Sequence, residues 1–269
     1  AVDNRRRYAM SFYDRHADAL FARYESLPFE DVHSSVLDFL PVRPGLVLDV
    51  GAGSGRDAAW FAERGHEVFA VEPAAGLRDL AADHHTHPLI HWVDDRLPDL
   101  GRFRNTTTRF DLIWLSAVWM HIAPSDRRRA FRKLSNRLQP GGRLMVTLRH
   151  GSFDDEREPH PVDAAEVLRL AREHGLVCIA HRAPQRDRLG RDGVSWETMV
   201  LELPDDGTGA FPVLRNVILN DARSSTYKFA LLRSLLRAAS GSGGMAEIDG
   251  NGDARVPLGL VALNWIRSY

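Results

Sequence analysis

At 269 residues, with 44% hydrophobic and 26% charged residues and a formal net charge of -1, the chain has the composition of an ordinary globular protein able to bury a full core. That balance gives no global reason to expect nucleic acid or a membrane as partner, and no run of about 18 apolar residues reads as a membrane span. The single cysteine, Cys178, excludes an intramolecular disulfide and a cysteine-rich metal site, and it fits a reducing, cytoplasmic setting.

Of the 35 lysines and arginines only two are lysine, Lys133 and Lys228, leaving 33 arginines. A GC-rich genome explains that bias more simply than selection for phosphate-binding arginine forks. The opening AVDNRRRYAMSFYD has no apolar core behind its arginines and does not read as an export signal. The chain does not begin with Met, and GLVALNWIRSY stops in the middle of an apolar pattern, as a trimmed or partial chain would.

Residues 8–40 read as helices, with Phe12, His16, Leu20 and Tyr24 at helical spacing and Val32, Val36, Leu37 and Leu40 in a second segment. PVRPG, 41–45, ends them. The chain then alternates: strand LVLDV leads to a helix over 55–64, EVFAVE to one over 76–84, LIHWVD to a loop, and FDLIWLS to a helix over 125–138. PGG, 140–142, opens strand RLMVTLR; a helix spans 163–174; LVCIAHR and SWETMVLEL follow with no helix between them. Seven short apolar strands alternating with amphipathic helices specify an α/β fold, a doubly wound and mostly parallel sheet with helices on both faces. The last two strands are expected to pair as an antiparallel edge hairpin.

PDDGTG, 204–209, ends the alternation, so the expected domains are 1–203, with 1–44 as a helical cap, and a small helical appendage over 204–269. In the appendage 213–219 and 226–239 read as helices, the second with Tyr227, Leu231 and Leu235 on one stripe and Ser224 or Ser225 as N-cap. SGSGGMAEIDGNGD, 240–253, reads as flexible, and a last helix starts near Pro257.

The stretch VLDVGAGSGRDAAW, 47–60, carries the chemistry. A parallel strand turning sharply into a helix presents backbone to whatever lies above it, and glycines let a ligand approach the main chain. A dinucleotide loop, G-x-G-x-x-G/A, needs a small residue at 56, which here is Arg56, and the third glycine comes one place early at Gly55. The pattern Asp49, Gly51, Gly53, Gly55 instead resembles the first motif of class I S-adenosylmethionine-dependent methyltransferases.

The resemblance spans roughly residues 10–203 and rests on five landmarks in order. It implies a seven-stranded Rossmann-like sheet and S-adenosylmethionine as cofactor, its amino acid part wrapped by the loop that includes Ala52 and Arg56. Glu72, 17 residues after Gly55 and followed by Pro73, is then the acid that accepts both ribose hydroxyls, a task for which a carboxylate has two acceptor oxygens. WVDDRLP places Asp94 or Asp95 at the adenine amino group. FDLIWLSAVWMHI, with Ser116, resembles the fourth motif, and LQPGGRLMVTL the loop and strand after it. Tyr13 and Tyr24 lie in the N-terminal helices that cover the cofactor in many relatives, or simply pack there.

The segment after the fourth strand faces the methyl group. It reads LSAVWMH, without the D/N-P-P-Y/F tetrapeptide of enzymes that methylate exocyclic amines of DNA bases. Cytosine C5 chemistry needs a thiolate, and Cys178 is buried by pattern in the sixth strand. The lysine-based ribose route fails because neither lysine lies at a strand end. What remains is transfer to an oxygen, nitrogen or carbon atom, driven by alignment and desolvation. His121 is the candidate base, since histidine changes charge near neutral pH, unless it packs or caps the next helix. Trp119 is either a wall beside it or core.

The fifth strand ends in TLRHG, putting Arg149 and His150 at the ligand side, and the hairpin loop APQRDRLGRDGVS brings Arg186, Arg188 and Arg191 to the same mouth. That convergence suggests an anionic acceptor, a small molecule in the first place and a nucleic acid strand in the second. The plainer account is a solvated hairpin in which Asp187 and Asp192 balance the arginines. SSTYKFALLRSLLRAA resembles a helical segment of bacterial DNA-processing proteins, so the appendage is either a nucleic-acid or partner-binding module, or a lid, a dimerisation surface or a truncated domain. Two rivals to an enzyme of this family are a nicotinamide-dependent oxidoreductase and a non-catalytic S-adenosylmethionine sensor acting through the appendage.

Overall fold

The run LVLDV makes the centre of the sheet. In the computed structural model, which describes residues 12–205 other than 154 and 158, residue 234, and residues 247–248, 254–255 and 257–266, it forms β1, Leu46–Val50. Parallel neighbours flank it, β2 (Glu67–Val71) and β4 (Phe110–Leu115). With β3 (Ile90–Val93), β5 (Leu138–His150), β6 (Val177–Arg186) and β7 (Ser195–Glu202) the order is β3-β2-β1-β4-β5-β7-β6. The first five strands are parallel, and β7 pairs antiparallel with both β5 and β6, which leaves β6 at the edge.

Residues 12–15 are helical, followed by α1 (Ala17–Glu25), the single turn α2 (Phe29–His33) and a 3-10 stretch, Ser34–Phe39. The crossovers carry α3 (Arg56–Glu63), α4 (Ala75–His84), α5 (Pro124–Ser135) and α6 (Ala164–Glu173). Pro124 opens α5 where its missing N–H costs nothing, and the Asp163 carboxylate caps α6 by accepting from the Ala165 N–H at 2.9 Å.

Alternation along the strands sends side chains to two cores. Leu48, Val50, Ile113 and Leu115 pack with Phe131, Leu134 and Leu170 on one face. Val47, Leu112 and Trp114 pack with Phe29 and Phe61 on the other. There Phe29 stacks on Trp60 at 4.0 Å and Phe61 meets Trp114 edge-on at 5.2 Å, contacts worth about 0.5–1.5 kcal/mol each beyond the area they bury.

A charge sits inside this aromatic layer. Asp57, in the first turn of α3, accepts from His33 Nε2 at 2.9 Å, Trp114 Nε1 at 2.8 Å and Arg56 Nε at 2.8 Å. Burial opposes the ionised form, but the charges of His33 and Arg56 and these bonds outweigh it and hold the carboxyl well below the usual range.

Two local expectations are corrected. LQPGG does not precede β5 but lies inside it: Phe110 pairs with Leu138, the register shifts, and Leu112 pairs with Arg143. Gly142 permits this because a Cβ there would come within 2.8 Å of the Gln139 and Phe110 carbonyl oxygens. In the appendage, 240–253 is not wholly irregular, since β8 (Glu247–Ile248) pairs antiparallel with β9 (Ala254–Arg255). Gly, Asp and Asn mark a turn as readily as a flexible linker, and composition does not separate the two.

The chain divides into two compact units, Ala1–Val213 and Leu214–Tyr269. The second contains the β8–β9 pair and α7, Leu258–Ile266, which starts next to Pro257 as its sequence implies. The expected helices over 213–219 and 226–239 and their serine caps lie outside the described residues, apart from Ser234. Among the described residues no helix is long and apolar enough to cross a membrane.

Asp57→Ala is expected to lower the unfolding free energy by about 3–5 kcal/mol in a urea titration, because it strands the buried donors of Trp114, His33 and Arg56. Asp57→Asn, which keeps an acceptor oxygen, is expected to cost less than half as much.

Candidate active site

The loop from β1 to α3 needs glycine for its backbone. Gly53 has φ 58° and Gly55 φ 85°, the left-handed region that costs other residues about 1–2 kcal/mol. A Cβ on Gly55 would also fall 2.6 Å from the Trp92 ring and 2.9 Å from His85, so this glycine serves packing beneath the loop. The loop amides are already engaged: Gly51 and Ala52 donate to the Val71 carbonyl, Gly53 to Glu72 and Gly55 to the Ala52 carbonyl. A pyrophosphate cradle needs such amides pointing at the ligand, which argues against a dinucleotide.

Above the loop is a cavity of about 250 Å³ whose lining includes Asp49, Gly51, Ala52, Gly53, Glu72, Pro73 and Asp95. Glu72 accepts from the Gly53 N–H at 2.8 Å through Oε2 and from the Ala74 N–H at 2.9 Å through Oε1. Burial pushes its pKa up to about 7 against the pull of these two bonds and of Arg78. Each oxygen keeps a lone-pair site for a further donor. Asp49 is 1% exposed, its Oδ2 has no partner, and burial, then Asp57 and Glu72, push its pKa well above the ordinary value. A buried acid with an orphan oxygen on a cavity wall is suited to a cationic ligand. The donor and acceptor chemistry of S-adenosylmethionine, with its ammonium, sulfonium and ribose hydroxyls, fits this wall.

A second cavity of about 170 Å³ shares Tyr13, Tyr24, Arg56, Ser116, Ala117 and His121 with the first. Its charge is reversed. Arg23, Arg149, Arg157, Arg186, Arg188 and Arg191 also line it, against Asp187 as the acid among its lining residues. Asp187 accepts from Arg191 Nη2 and Trp196 Nε1, both at 2.7 Å, and although burial opposes it these partners hold its pKa at about 2. Arg157 is bound to Asp155 and donates to the Tyr13 hydroxyl at 3.0 Å.

His121 stands where the cavities join, its Nε2 3.0 Å from the Tyr13 hydroxyl and its ring stacked on Phe153. Burial, then Arg157, His160 and Arg149, push its pKa down to about 4, so the expectation of a ring titrating near neutrality is not met. Burial also raises the Tyr13 phenol, which stays protonated. Arg157 donates to that oxygen, and with the ring proton on Nδ1 the phenol proton points at His121 Nε2.

Several expected residues lie elsewhere. Asp94 does not line the cavity, and its exposed carboxylate faces Arg78 at 3.5 Å, so of the pair it is Asp95 that is at the wall. Trp119 is fully buried against Phe131 and Arg127, the core alternative. His150 lines neither cavity; its Nε2 lies 2.9 Å from Glu197, which also holds His181. Gly55 acts from below, and the Arg56 guanidinium is spent on Asp57 and the Tyr24 carbonyl. Cys178 is partly rather than fully buried, its sulfur turned to the Ala180 carbonyl, and it lines neither cavity. Arg149, Arg186, Arg188 and Arg191 do come together, as the hairpin geometry implies.

Sequence reasoning missed Ala117 and Thr147. Ala117 lines both cavities at φ 60°, and the Thr147 hydroxyl accepts its N–H at 2.7 Å. Nothing in an alanine announces a left-handed backbone. Arg157 and Phe153 were also missed, because DDEREPHP reads as a polar loop.

Residues 48–146 match the family described as "Methyltransferase domain", and residues 207–269 match a "Domain of unknown function (DUF8808)". Methyltransferase GfsG of Streptomyces halstedii is 32% identical over 113 residues, 40% of this chain and 40% of that protein, so the chain spans well under two thirds of this relative. Among solved structures, N-methyltransferase NodS from Bradyrhizobium japonicum with S-adenosyl-L-homocysteine shares the fold with a TM-score of 0.56 at 18% identity, covering 71% of this chain and 98% of that one. Magnesium protoporphyrin IX methyltransferase from Synechocystis with bound SAH does so with a TM-score of 0.57 at 12% identity, covering 74% and 99%. The match over residues 48–146 is to a methyltransferase domain, and the glycine loop, the acid at the end of β2 and the sheet order agree with the class I fold of S-adenosylmethionine-dependent methyltransferases.

Proposed function

We propose that this chain transfers a methyl group to an oxygen, nitrogen or carbon atom of a small anionic acceptor held in the arginine-lined cavity. The observation that carries the proposal is the reversal of charge balance between two adjoining cavities: four acids against Arg56 and Arg96 line the one beside the glycine loop, and seven arginines against Asp187 the other. When bound, S-adenosylmethionine supplies the activated methyl group on its sulfonium. Asp49 takes the ammonium, the loop 51–55 surrounds the amino acid part, Glu72 and Pro73 face the ribose, and Asp95 faces the adenine. Tyr13 and Tyr24 cover both ligands, and Ser116 and Ala117 form the wall between them.

On the acceptor side Arg186 and Arg188 pair with the anion, while Arg149, whose Nη1 and Nη2 donate to the Gly151 and Ser152 carbonyls, adds its positive charge to the wall; such fixed donors replace the hydration the anion gives up. An acceptor that arrives ionised at its attacking atom needs no base. For one that arrives protonated, neutral His121 is the base in reach, through the Tyr13 hydroxyl that faces its Nε2 and would pass the proton on, and its low basicity restricts it to acidic protons. Residues 1–203 form the transferase domain in this reading, and 204–269 an accessory one.

Calorimetry is expected to give micromolar binding of S-adenosylmethionine and of its demethylated product; no heat with either sinks the proposal. Asp49→Ala should weaken binding of that product by about 10- to 100-fold, the range for a hydrogen bond to a charged group.

Glu72 gives binding a pH dependence. Its folded pKa is raised, so between the ordinary value and about 7 the native apo-protein keeps a proton that the unfolded chain releases, and stability falls as pH rises through that window. The ribose hydroxyls favour the ionised form, so Kd should tighten about tenfold from pH 6 to pH 8 and level off above. Glu72→Gln should flatten that response.

In a screen of small carboxylates, phenolates and phosphates read by release of the demethylated cofactor, Arg186→Ala combined with Arg188→Ala should raise the acceptor KM about tenfold or more without changing cofactor Kd. A neutral acceptor turned over equally well by both proteins contradicts the anionic assignment.

A further inference from the structure

Outside both cavities, three metal-binding side chains meet where two helices end. Glu25 is the last residue of α1, His84 the last of α4, and His85 follows it. One ligand atom from each lies within 4.8 Å of the others. Glu25 Oε1 is 3.3 Å from His85 Nε2, and the His84 ring stands edge-on to His85 at 4.7 Å and to Phe21 at 5.2 Å. His85 is fixed against the underside of the glycine loop at Gly55, whereas His84 is exposed, with solvent on the side away from Phe21 and His85.

We propose that Glu25, His84 and His85 bind one divalent transition-metal ion of borderline softness, with Zn²⁺ the best match. Two imidazoles and a carboxylate are the donor set for such ions, while Mg²⁺ and Ca²⁺ call for more oxygens. Ligand atoms around tetrahedral zinc are roughly 3.4 Å apart, so the widest separation must shrink by roughly 1.4 Å, a movement that the two side-chain torsions of His84 can supply. The field favours a cation as well. The C-terminal ends of α1 and α4 converge on the cluster, each with its partial negative charge, and Arg56, the nearby cation, is neutralised by Asp57. Three protein ligands leave one position for water. The ion would tie α4 to the end of α1 that carries Tyr24, and so hold the cover of the cofactor cavity in place without entering methyl transfer.

The test uses the full chain without an affinity tag, in metal-free buffer, titrated with zinc chloride by calorimetry and by competition with a chromophoric chelator. One Zn²⁺ per chain with a Kd of about 1 µM or tighter is expected, and none for Mg²⁺ at the same concentrations. His84→Ala should weaken zinc at least about tenfold, and Glu25→Gln likewise. His87→Ala should not, since its Nδ1 serves the Leu89 N–H outside the cluster. Circular dichroism establishes that each variant is folded. No zinc bound more tightly than about 100 µM, or an affinity indifferent to both His84→Ala and Glu25→Gln, overturns the proposal. Cofactor binding is measured separately on the same samples, so failure of the metal site is distinguishable from failure of the methyltransferase reading.

Discussion

The buried Asp57 carboxylate joins three parts of the chain that no strand pairing brings together: the cap through His33, the sheet through Trp114 and the loop helix through Arg56. An isolated carboxylate in an aromatic layer would be expelled or protonated, so its presence depends on all three donors being there at once. The same requirement fixes the direction of α3 as it leaves the glycine loop and, through Arg56 to the Tyr24 carbonyl, the height of the cap over the cavity. Its charge also reaches the site. Asp57 and Glu72 both raise the pKa of Asp49, so the empty cavity holds an acid that is costly to ionise until a positive ligand arrives. The acid on the cavity wall and the packing of the cap are thereby parts of one electrostatic balance.

Much of the fold was legible because interior strands of a parallel sheet are buried on both faces and read as unbroken apolar runs. Glu72 was legible for the same reason: it is the first polar residue after such a run, at the strand end where ligands bind. Failures came from adjacency. Neighbouring residues of a strand point to opposite faces, so Arg149 and His150 could not both reach one mouth. Arg149, paired in register with Trp196, turns to the arginine-lined cavity, and His150 turns to Glu197. Asp94 and Asp95 pose the same problem one strand away, and no composition rule separates them. Asp57 was invisible for another reason, since an acid in the first turn of a helix reads as a partner of the helix dipole on the surface. Only the packing of Phe29 and Trp114 around it shows otherwise.

The two cavities meet at residues with little freedom of charge. The Tyr13 phenol is held protonated and His121 neutral, and Arg157, bound to Asp155, keeps its charge. A junction that does not titrate near neutral pH leaves the charge difference between the cavities to the acids on one side and the arginines on the other. Where bound ligands displace water that difference acts at close range, because a low-dielectric surrounding screens charges less than bulk water does.

In the proposed reading that arrangement also explains why the acceptor side can be built from an exposed hairpin while the cofactor side is not. Arg186 and Arg188 stand on the β6–β7 hairpin, exposed, with Ser34 as a neighbour of Arg188, whereas Asp49 and Glu72 are buried at strand ends held by the central sheet. A cofactor that is the same in every turnover rewards rigid, desolvated contacts, since their ordering is settled when the chain folds. Acceptor groups on a hairpin can change in sequence without disturbing the sheet, because hairpin loops carry little of the core. The separation of buried acids from exposed arginines therefore follows from the topology: β1 and β2 are interior strands paired on both sides, and β6, which leads into the hairpin, lies at the edge.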